Sequence, residues 1–414
     1  MNRGTPQGRG SRADGVRAPS VPGASRLLVV DEVAFEGGLA TFRRHLLPAL
    51  AKRCERLVWV VPDFLVSEYA EIVSRQPNAS VVGFLWPRRS WQRLLHGFAR
   101  RLPGSGARAL HAALERRLRQ ARVRDLAAAG GFTHCLCTAA LDQPVPDTTL
   151  PTAGVVLDLN PSLEDTRQRN ILSWVRHAER TLTISEFTRD VLIQRCPERA
   201  DRICSIPLAA PPPGEGVVPH TPTIFTFYYP SVANPHKGHA TLFAACAELV
   251  RAGLEFRLVL TGHGTEAFAG REPAWHPNLE EARRLLEANP GLRSRLSCLG
   301  RQPAERVESE YAGSSCVVLP SSYEGFGLPL SEAISHGLPV VCSDIAPFRE
   351  QLQLYRAGDD AVMFPPGDHV ALARSMAQML TRRPPRRSRE EVDRRLSLWT
   401  WDDVARRYIE CLHE

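Results

Sequence analysis

Short apolar runs recur along the chain, separated by longer stretches in which apolar residues return every three or four positions. Arg26–Val30, Leu57–Val61, Ser80–Leu85, Phe132–Cys137, Gly154–Leu157 and Leu182–Ile184 are such runs. Their length and their Val, Ile and Leu content predict strands buried on both faces. Between them the period lengthens to that of a helix, first over Leu39–Lys52. The alternation resumes with the strand Thr223–Tyr228, the helix Thr241–Ala252 and the strand Phe256–Thr261. It continues through the strands Leu296–Leu299, Ser315–Leu319, Leu338–Cys342 and Ala361–Phe364, then the helix Val370–Leu380. Strand and helix in alternation predict parallel sheets covered by helices, the α/β class.

The series is interrupted once, at Leu208–Thr221, by Ala-Ala-Pro-Pro-Pro-Gly-Glu-Gly and a further proline. That composition predicts an exposed, semi-rigid linker. We therefore expect a first domain over 25–207, a linker over 208–221, a second domain over 222–395 and a terminal helix over 396–414. The last carries an apolar stripe of Val404, Tyr408, Cys411 and Leu412 behind Leu398-Trp-Thr-Trp-Asp-Asp403, whose Trp399 and Trp401 we read as packing residues. Residues 1–24 are rich in Gly, Pro, Ser and Arg without an apolar segment and read as a disordered tail.

The stretch 86–124 stands apart. Trp91, Leu94, Leu95, Phe98 and Leu102 share one helical stripe, with Arg89, Arg93 and Arg100 opposite and six further arginines from Arg108 to Arg124. Such a helix either packs its stripe on the domain's own sheet or lies on an anionic membrane surface.

Composition narrows the function classes. A chain of 414 residues, 43% of them apolar, can bury two cores. It contains no apolar run of the roughly 18 residues that a membrane-spanning helix needs. Cys137, Cys204, Cys298, Cys316 and Cys342, among ten cysteines, sit inside apolar segments, and no Cys-x-x-Cys pair occurs. This points away from zinc or redox ligation and towards a reduced cytosol. A net charge of +7 suits an anionic substrate or membrane face. No nucleic-acid recognition motif accompanies it, so we expect no nucleic acid partner.

The chemistry concentrates between Val318 and Asp344. A strand ends at Leu319, the turn Ser321–Gly327 holds two glycines, and Pro329 suits the first position of a helix that stops at Gly337. Unpaired N–H groups at such a helix start favour an anion, above all a phosphate. Glu324 and Glu332 bracket that point. As helical neighbours they would lie about 12 Å apart, beyond the roughly 5–9.5 Å of hydrolytic carboxylate pairs, so they suit different roles on one ligand. Lys237, just ahead of another helix, can meet phosphate oxygens. Gly262-His-Gly-Thr-Glu-Ala267 fits the loose dinucleotide pattern but lies outside the first unit of its sheet, and no G-x-G-x-x-G follows the first strand. No Asp-x-Asp metal motif occurs.

Glu324, seven residues, then Glu332, around Gly325-Phe326-Gly327-Leu328-Pro329, resembles the E-x7-E motif of retaining glycosyltransferases of family 4, with the resemblance running from about residue 26 onward. It implies the GT-B fold, two Rossmann-like domains facing a cleft, with the terminal helix crossing back to the first. It implies that Glu324 contacts the transferred sugar and Glu332 the ribose of a nucleoside-diphosphate sugar. Ser321 and the backbone of Phe326, Gly327 and Leu328 would line sugar and diphosphate, and Lys237 would take up leaving-group charge beside catalytic Glu324. Gly37 and Gly38 resemble the loop that approaches the donor diphosphate or the acceptor, Gly262 a turn beside the donor, and Gly300-Arg301 the border of the base.

Two positions depart from the family pattern. Leu157 replaces a histidine, and Ser231 and Val232 stand where an arginine is usual, leaving His236 or a first-domain arginine as candidate substitutes. The implied activity is metal-independent transfer of a hexose, mannose among the candidates, to a glycan or lipid-linked acceptor in bacterial cell-surface polysaccharide or lipopolysaccharide synthesis. Its place would be the cytoplasm or the inner face of the plasma membrane. The alternatives are a GT-B nucleotide-sugar epimerase and a degenerate, non-catalytic nucleotide-sugar-binding assembly partner, which the two departures favour.

Overall fold

A computed structural model describes residues 25–31, 37–84, 105–140, 144–161, 163–214, 216–270 and 279–414. The tail, the stripe Trp91–Leu102 and Arg89, Arg93 and Arg100 lie outside them.

Thirteen strands form two wholly parallel sheets among the described residues. The first contains β1 (Arg26–Val30), β2 (Arg56–Val61), β3 (Ala79–Gly83), β4 (His134–Cys137), β5 (Thr152–Val156), β6 (Arg180–Thr183) and β7 (Ile203–Ser205), in the order β3-β2-β1-β4-β5-β6-β7. The second contains β8 (Thr226–Pro230), β9 (Arg257–Thr261), β10 (Leu296–Cys298), β11 (Cys316–Leu319), β12 (Val340–Ser343) and β13 (Ala361–Phe364), in the order β10-β9-β8-β11-β12-β13. Both orders reverse beside their first strand, between β1 and β4 and between β8 and β11. Crevices open at such switch points, outside the carboxyl ends of the strands.

The apolar runs divide by pleat parity. In the first sheet Leu27, Val29, Leu57 and Trp59 face the helix Gly38–Ala51, while Leu28, Val30, Val58 and Val60 join the cluster holding Trp174 and Val175 of the helix Asp165–His177. Burial on both faces is why these strands read as unbroken apolar runs.

Several expectations need correction. β1 and β13 keep their expected bounds, the bounds of the other expected strands move by one to three residues, and β7, only three residues long, was not anticipated. The linker is not exposed at its start: Leu208, Ala209 and Ala210 are buried, and the Ala210 N–H donates to Tyr355 Oη at 2.7 Å. Small apolar residues there slot between the two sheets' cores, and only the later prolines meet solvent. A further helix, Arg389–Leu396, capped by Ser388, lies between the second sheet's last helix and the terminal one. In the described half of 86–124, within the helix Ser105–Gly130, Val123 and Ala127 are buried against the first sheet and Arg119 lies over the Phe84 ring.

The helix Trp401–His413 starts at a capping box formed by Thr400 and Asp403. It packs Val404, Tyr408 and Leu412 with Phe42 and Leu46 of the first domain. Trp401 stacks on His45, and Trp399 donates its indole N–H to Pro207 O at 3.0 Å. No helix among the described residues is long and apolar enough to cross a membrane.

Candidate active site

Two loops of the second domain build the site, and neighbouring strands bring them together. β8 pairs with β11, so the loop 231–238 after β8 lies against the loop 320–327 after β11. Ser322 N–H donates to His236 O at 2.8 Å, and Tyr229 Oη donates to Lys237 O at 2.6 Å while lying 3.4 Å from the buried Ser321 hydroxyl. Gly238 turns the chain into the helix His239–Arg251 at φ 71°, where a Cβ would stand 2.2 Å from Pro320 O. No other residue permits this approach.

Lys237 and Glu324 meet directly. The ammonium lies 2.7 and 2.8 Å from the two carboxylate oxygens, with side-chain exposures of 17% and 11%. A charge-assisted pair this sheltered is strong, and it holds both groups at the mouth of the second sheet. The usual arginine has no charged replacement at His236, because burial, reinforced by Lys237, lowers that imidazole to about 4 and keeps it neutral at pH 7. Arg43 of the first domain is fully buried and ion-paired with Asp31, so its charge is already engaged.

The turn after Glu324 is held from both domains. Gly327 caps the helix Leu328–Ser335 at φ 90°, and a Cβ there would fall 2.4 Å from the Phe348 ring. Gln351 Nε2 donates to Phe326 O at 2.5 Å. From the first domain, the Leu157 carbonyl lies only 2.1 Å from where a Gly325 Cβ would stand, with Asp158 beside it. Burial, reinforced by Glu324, raises the Asp158 carboxyl above its usual range. Gly38 faces Leu328, whose methyl would lie 3.3 Å from an added Cβ, while Gly37, at φ 72°, borders open space.

Glu332 is held by a different partner from Glu324. Its Oε2 accepts a 2.6 Å hydrogen bond from Tyr311, whose ring stacks on His336 at 4.8 Å, and His336 meets Glu308 at 3.0 Å. Burial raises the Glu332 carboxyl to about 7 despite the tyrosine's bond. Gly262, at φ 125°, is pressed on Ser231 O, and its N–H donates to Gly300 O at 2.8 Å. It braces the loop that carries Lys237. Tyr311, Gln351 and Glu350 were not foreseen. They lie on the helices Ala304–Ala312 and Ala346–Leu354, whose sequences carry no motif around them.

A separate cavity of about 450 Å³, lined by Arg26, Arg56, Asn78 and Gly130 among others, opens at the amino ends of β1–β3. Parallel sheets bind ligands at the opposite edge.

Residues 218–395 match the family of glycosyl transferases group 1. The serotype-specific mannosyltransferase WbdA of Escherichia coli is 34% identical over 128 residues, 31% of this chain and 14% of WbdA. The O-antigen chain mannosyltransferase B of Escherichia coli is 29% identical over 218 residues, covering 49% of this chain and 52% of that protein. The chain thus spans about half or less of the length of these relatives. In three dimensions, sucrose-phosphate synthase from Thermosynechococcus elongatus superposes with a TM-score of 0.63 at 18% identity, over 93% of this chain and 98% of that one. At that identity the likeness speaks for the fold, which is GT-B.

Proposed function

Residues 218–395 belong to the glycosyl transferases group 1 family on a GT-B fold, and from that premise we propose that the chain transfers a hexose from a nucleoside-diphosphate sugar to a glycan or lipid-linked acceptor, with retention of anomeric configuration and without metal. Mannose is the first candidate, since WbdA and mannosyltransferase B are named for it. The acceptor class follows from the same names and belongs to bacterial cell-surface polysaccharide synthesis. The exposed Arg116 and Arg117 support a contact with an anionic membrane face.

The observation that carries the reading is the Lys237–Glu324 pair, seated where the loops after β8 and β11 meet. A diphosphate entering that crevice competes with Glu324 for the ammonium. Lys237 then faces the leaving group and takes up the charge that grows on it, with the Leu328 N–H at the helix start. Released from Lys237, Glu324 turns to the sugar, where its negative charge stabilises an electron-poor anomeric carbon. Glu332 receives the ribose hydroxyls. Gly38 lets the first domain come close to this surface. The acceptor hydroxyl attacks on the face the diphosphate leaves, and its proton passes to a departing phosphate oxygen.

Thermal stabilisation by UDP, GDP, ADP and TDP and their sugars, without metal, tests the proposal. A ligand at a hundredfold its Kd stabilises by about 2.7 kcal/mol. We expect GDP and GDP-mannose to raise the melting temperature, and Lys237→Ala to remove the effect. No stabilisation by any nucleotide would overturn the reading.

A further inference from the structure

We propose that Glu350, Ser185 and Thr188 form an interdomain strap that shapes the Glu324 turn, so that the turn is fully set only when the two domains are closed. Glu350 and Ser185 are then positioning residues, acting on the reaction through Gly325 and Phe326.

The strap begins at the helix Glu186–Arg195, which follows β6. Its first N–H groups need partners from outside the helix. Ser185 supplies one in the ordinary way, accepting from the Thr188 N–H at 3.1 Å. The next two come from the other domain: Glu350 accepts from Glu186 N–H at 2.9 Å and from Phe187 N–H at 2.8 Å, one oxygen to each. A carboxylate at a helix N-terminus is favoured by the dipole as well as by the two bonds.

The same turn of helix reaches back across the interface. Ser185 Oγ donates to Gly325 O at 2.6 Å, with Thr188 Oγ1 at 3.4 Å from that oxygen, and both side chains are fully buried. Phe187 meets Tyr323 edge to face at 5.5 Å. The contact thus falls on the two neighbours of Glu324, not on a remote part of the surface.

Glu350 is adjacent in sequence to Gln351, whose amide holds Phe326 O. One short helix, Ala346–Leu354, therefore grips the first domain with one residue and the turn with the next. The turn is clamped at Gly325 from the first domain and at Phe326 from the second. Opening the domains removes the Gly325 bond and leaves Glu186 and Phe187 N–H without their acceptor.

This inference rests on the reading above only for its consequence in turnover, and its primary test needs no substrate. Amide hydrogen exchange is measured on the full-length protein and on Glu350→Ala, Ser185→Ala and Ser185→Thr. In Glu350→Ala we expect exchange about tenfold faster at Glu186 and Phe187 and also over 324–327, the scale of one lost hydrogen bond, with β8, β9 and β12 unchanged. Ser185→Ala should loosen 324–327 similarly, and Ser185→Thr, which keeps the hydroxyl, should restore it. Faster exchange confined to Glu186 and Phe187, with 324–327 as protected as in the parent, would overturn the strap.

If GDP-mannose turnover is then followed by GDP release, Glu350→Ala should lower kcat about tenfold and leave the Kd for GDP within twofold. An unchanged kcat in Glu350→Ala would likewise overturn the positioning role. Failure of the parent to bind any nucleotide would sink the glycosyl-transfer reading while leaving the exchange result to decide the strap.

Discussion

Glu332→Gln should make the protein's stability less sensitive to pH, with a sign fixed by the carboxyl's surroundings. Burial lifts Glu332 from 4.5 to about 7; Tyr311 opposes the shift and Glu308 adds to it. At about 1.36 kcal/mol per pKa unit, this amounts to roughly 3 kcal/mol. Below about pH 4.5 the carboxyl is protonated in both folded and unfolded chains, so no penalty exists. Between there and about pH 7 the unfolded chain releases its proton first, and stability falls as pH rises. Above about pH 7 the full penalty is present. Glutamine cannot ionise, and its amide oxygen can still accept the Tyr311 hydroxyl. We therefore expect the variant's unfolding free energy, relative to the parent, to rise by about 3 kcal/mol between pH 4.5 and pH 8.5. Urea unfolding followed by circular dichroism at those two pH values measures it. Parallel pH profiles for the two proteins would refute the argument, because they would mean that the folded state does not hold this proton.

Other perturbations separate the roles of neighbouring groups. Lys237→Ala leaves Glu324, 11% exposed, without its cation; we expect a loss of about 3 kcal/mol in stability together with weaker nucleoside diphosphate binding, and unchanged affinity by calorimetry would count against a phosphate role for the lysine. Glu324→Gln should keep the fold and lose most transfer, which wild-type activity would disprove. Gly325→Ala places a methyl 2.1 Å from Leu157 O; we expect a larger radius of gyration in solution scattering with both sheets intact, and unchanged dimensions would show that the contact yields elsewhere. Hydrogen bonding from Cys411 lowers Cys204 to about 7, so iodoacetamide at pH 7.5 should alkylate Cys204 ahead of the other cysteines, a ranking that peptide mass spectrometry checks.

Much of the framework could be read from the chain because parallel strands, covered on both faces, are nearly continuous apolar runs. β1, β2, β11 and β12 announce themselves that way, whereas three-residue β7 is too short to show a period. The Glu324 turn was legible for a related reason. Gly327 and Pro329 are punctuation that a helix start after a strand requires, and Gly238 serves the same purpose ahead of the helix His239–Arg251. Contacts between distant segments left no such mark. Tyr355 reaches Ala210 across 145 positions, and Glu350 reaches Glu186 across 164; neither residue type carries a signal of its partner. His236 shows the same limit for charge. The sequence does not show its burial, which, reinforced by the neighbouring Lys237, keeps it neutral at pH 7.

The two carboxylates of the motif therefore differ more than their shared residue type implies. Glu324 is matched by Lys237 at 2.7 and 2.8 Å, so each must be released by the other before either can serve a ligand. Among the described residues Glu332 has no cation bonded to it, only the Tyr311 hydroxyl, and it gains its proton near neutrality. Ribose hydroxyls can donate two hydrogen bonds to an ionised carboxylate but only one to a carboxyl whose other oxygen is protonated. Under the proposed function, nucleoside diphosphate affinity should then rise as pH passes upward through about 7, in the direction opposite to stability, and Glu332→Gln should flatten both profiles. A variant that flattened stability alone would separate the buried proton from the ribose and assign Glu332 a purely architectural place beneath the donor turn.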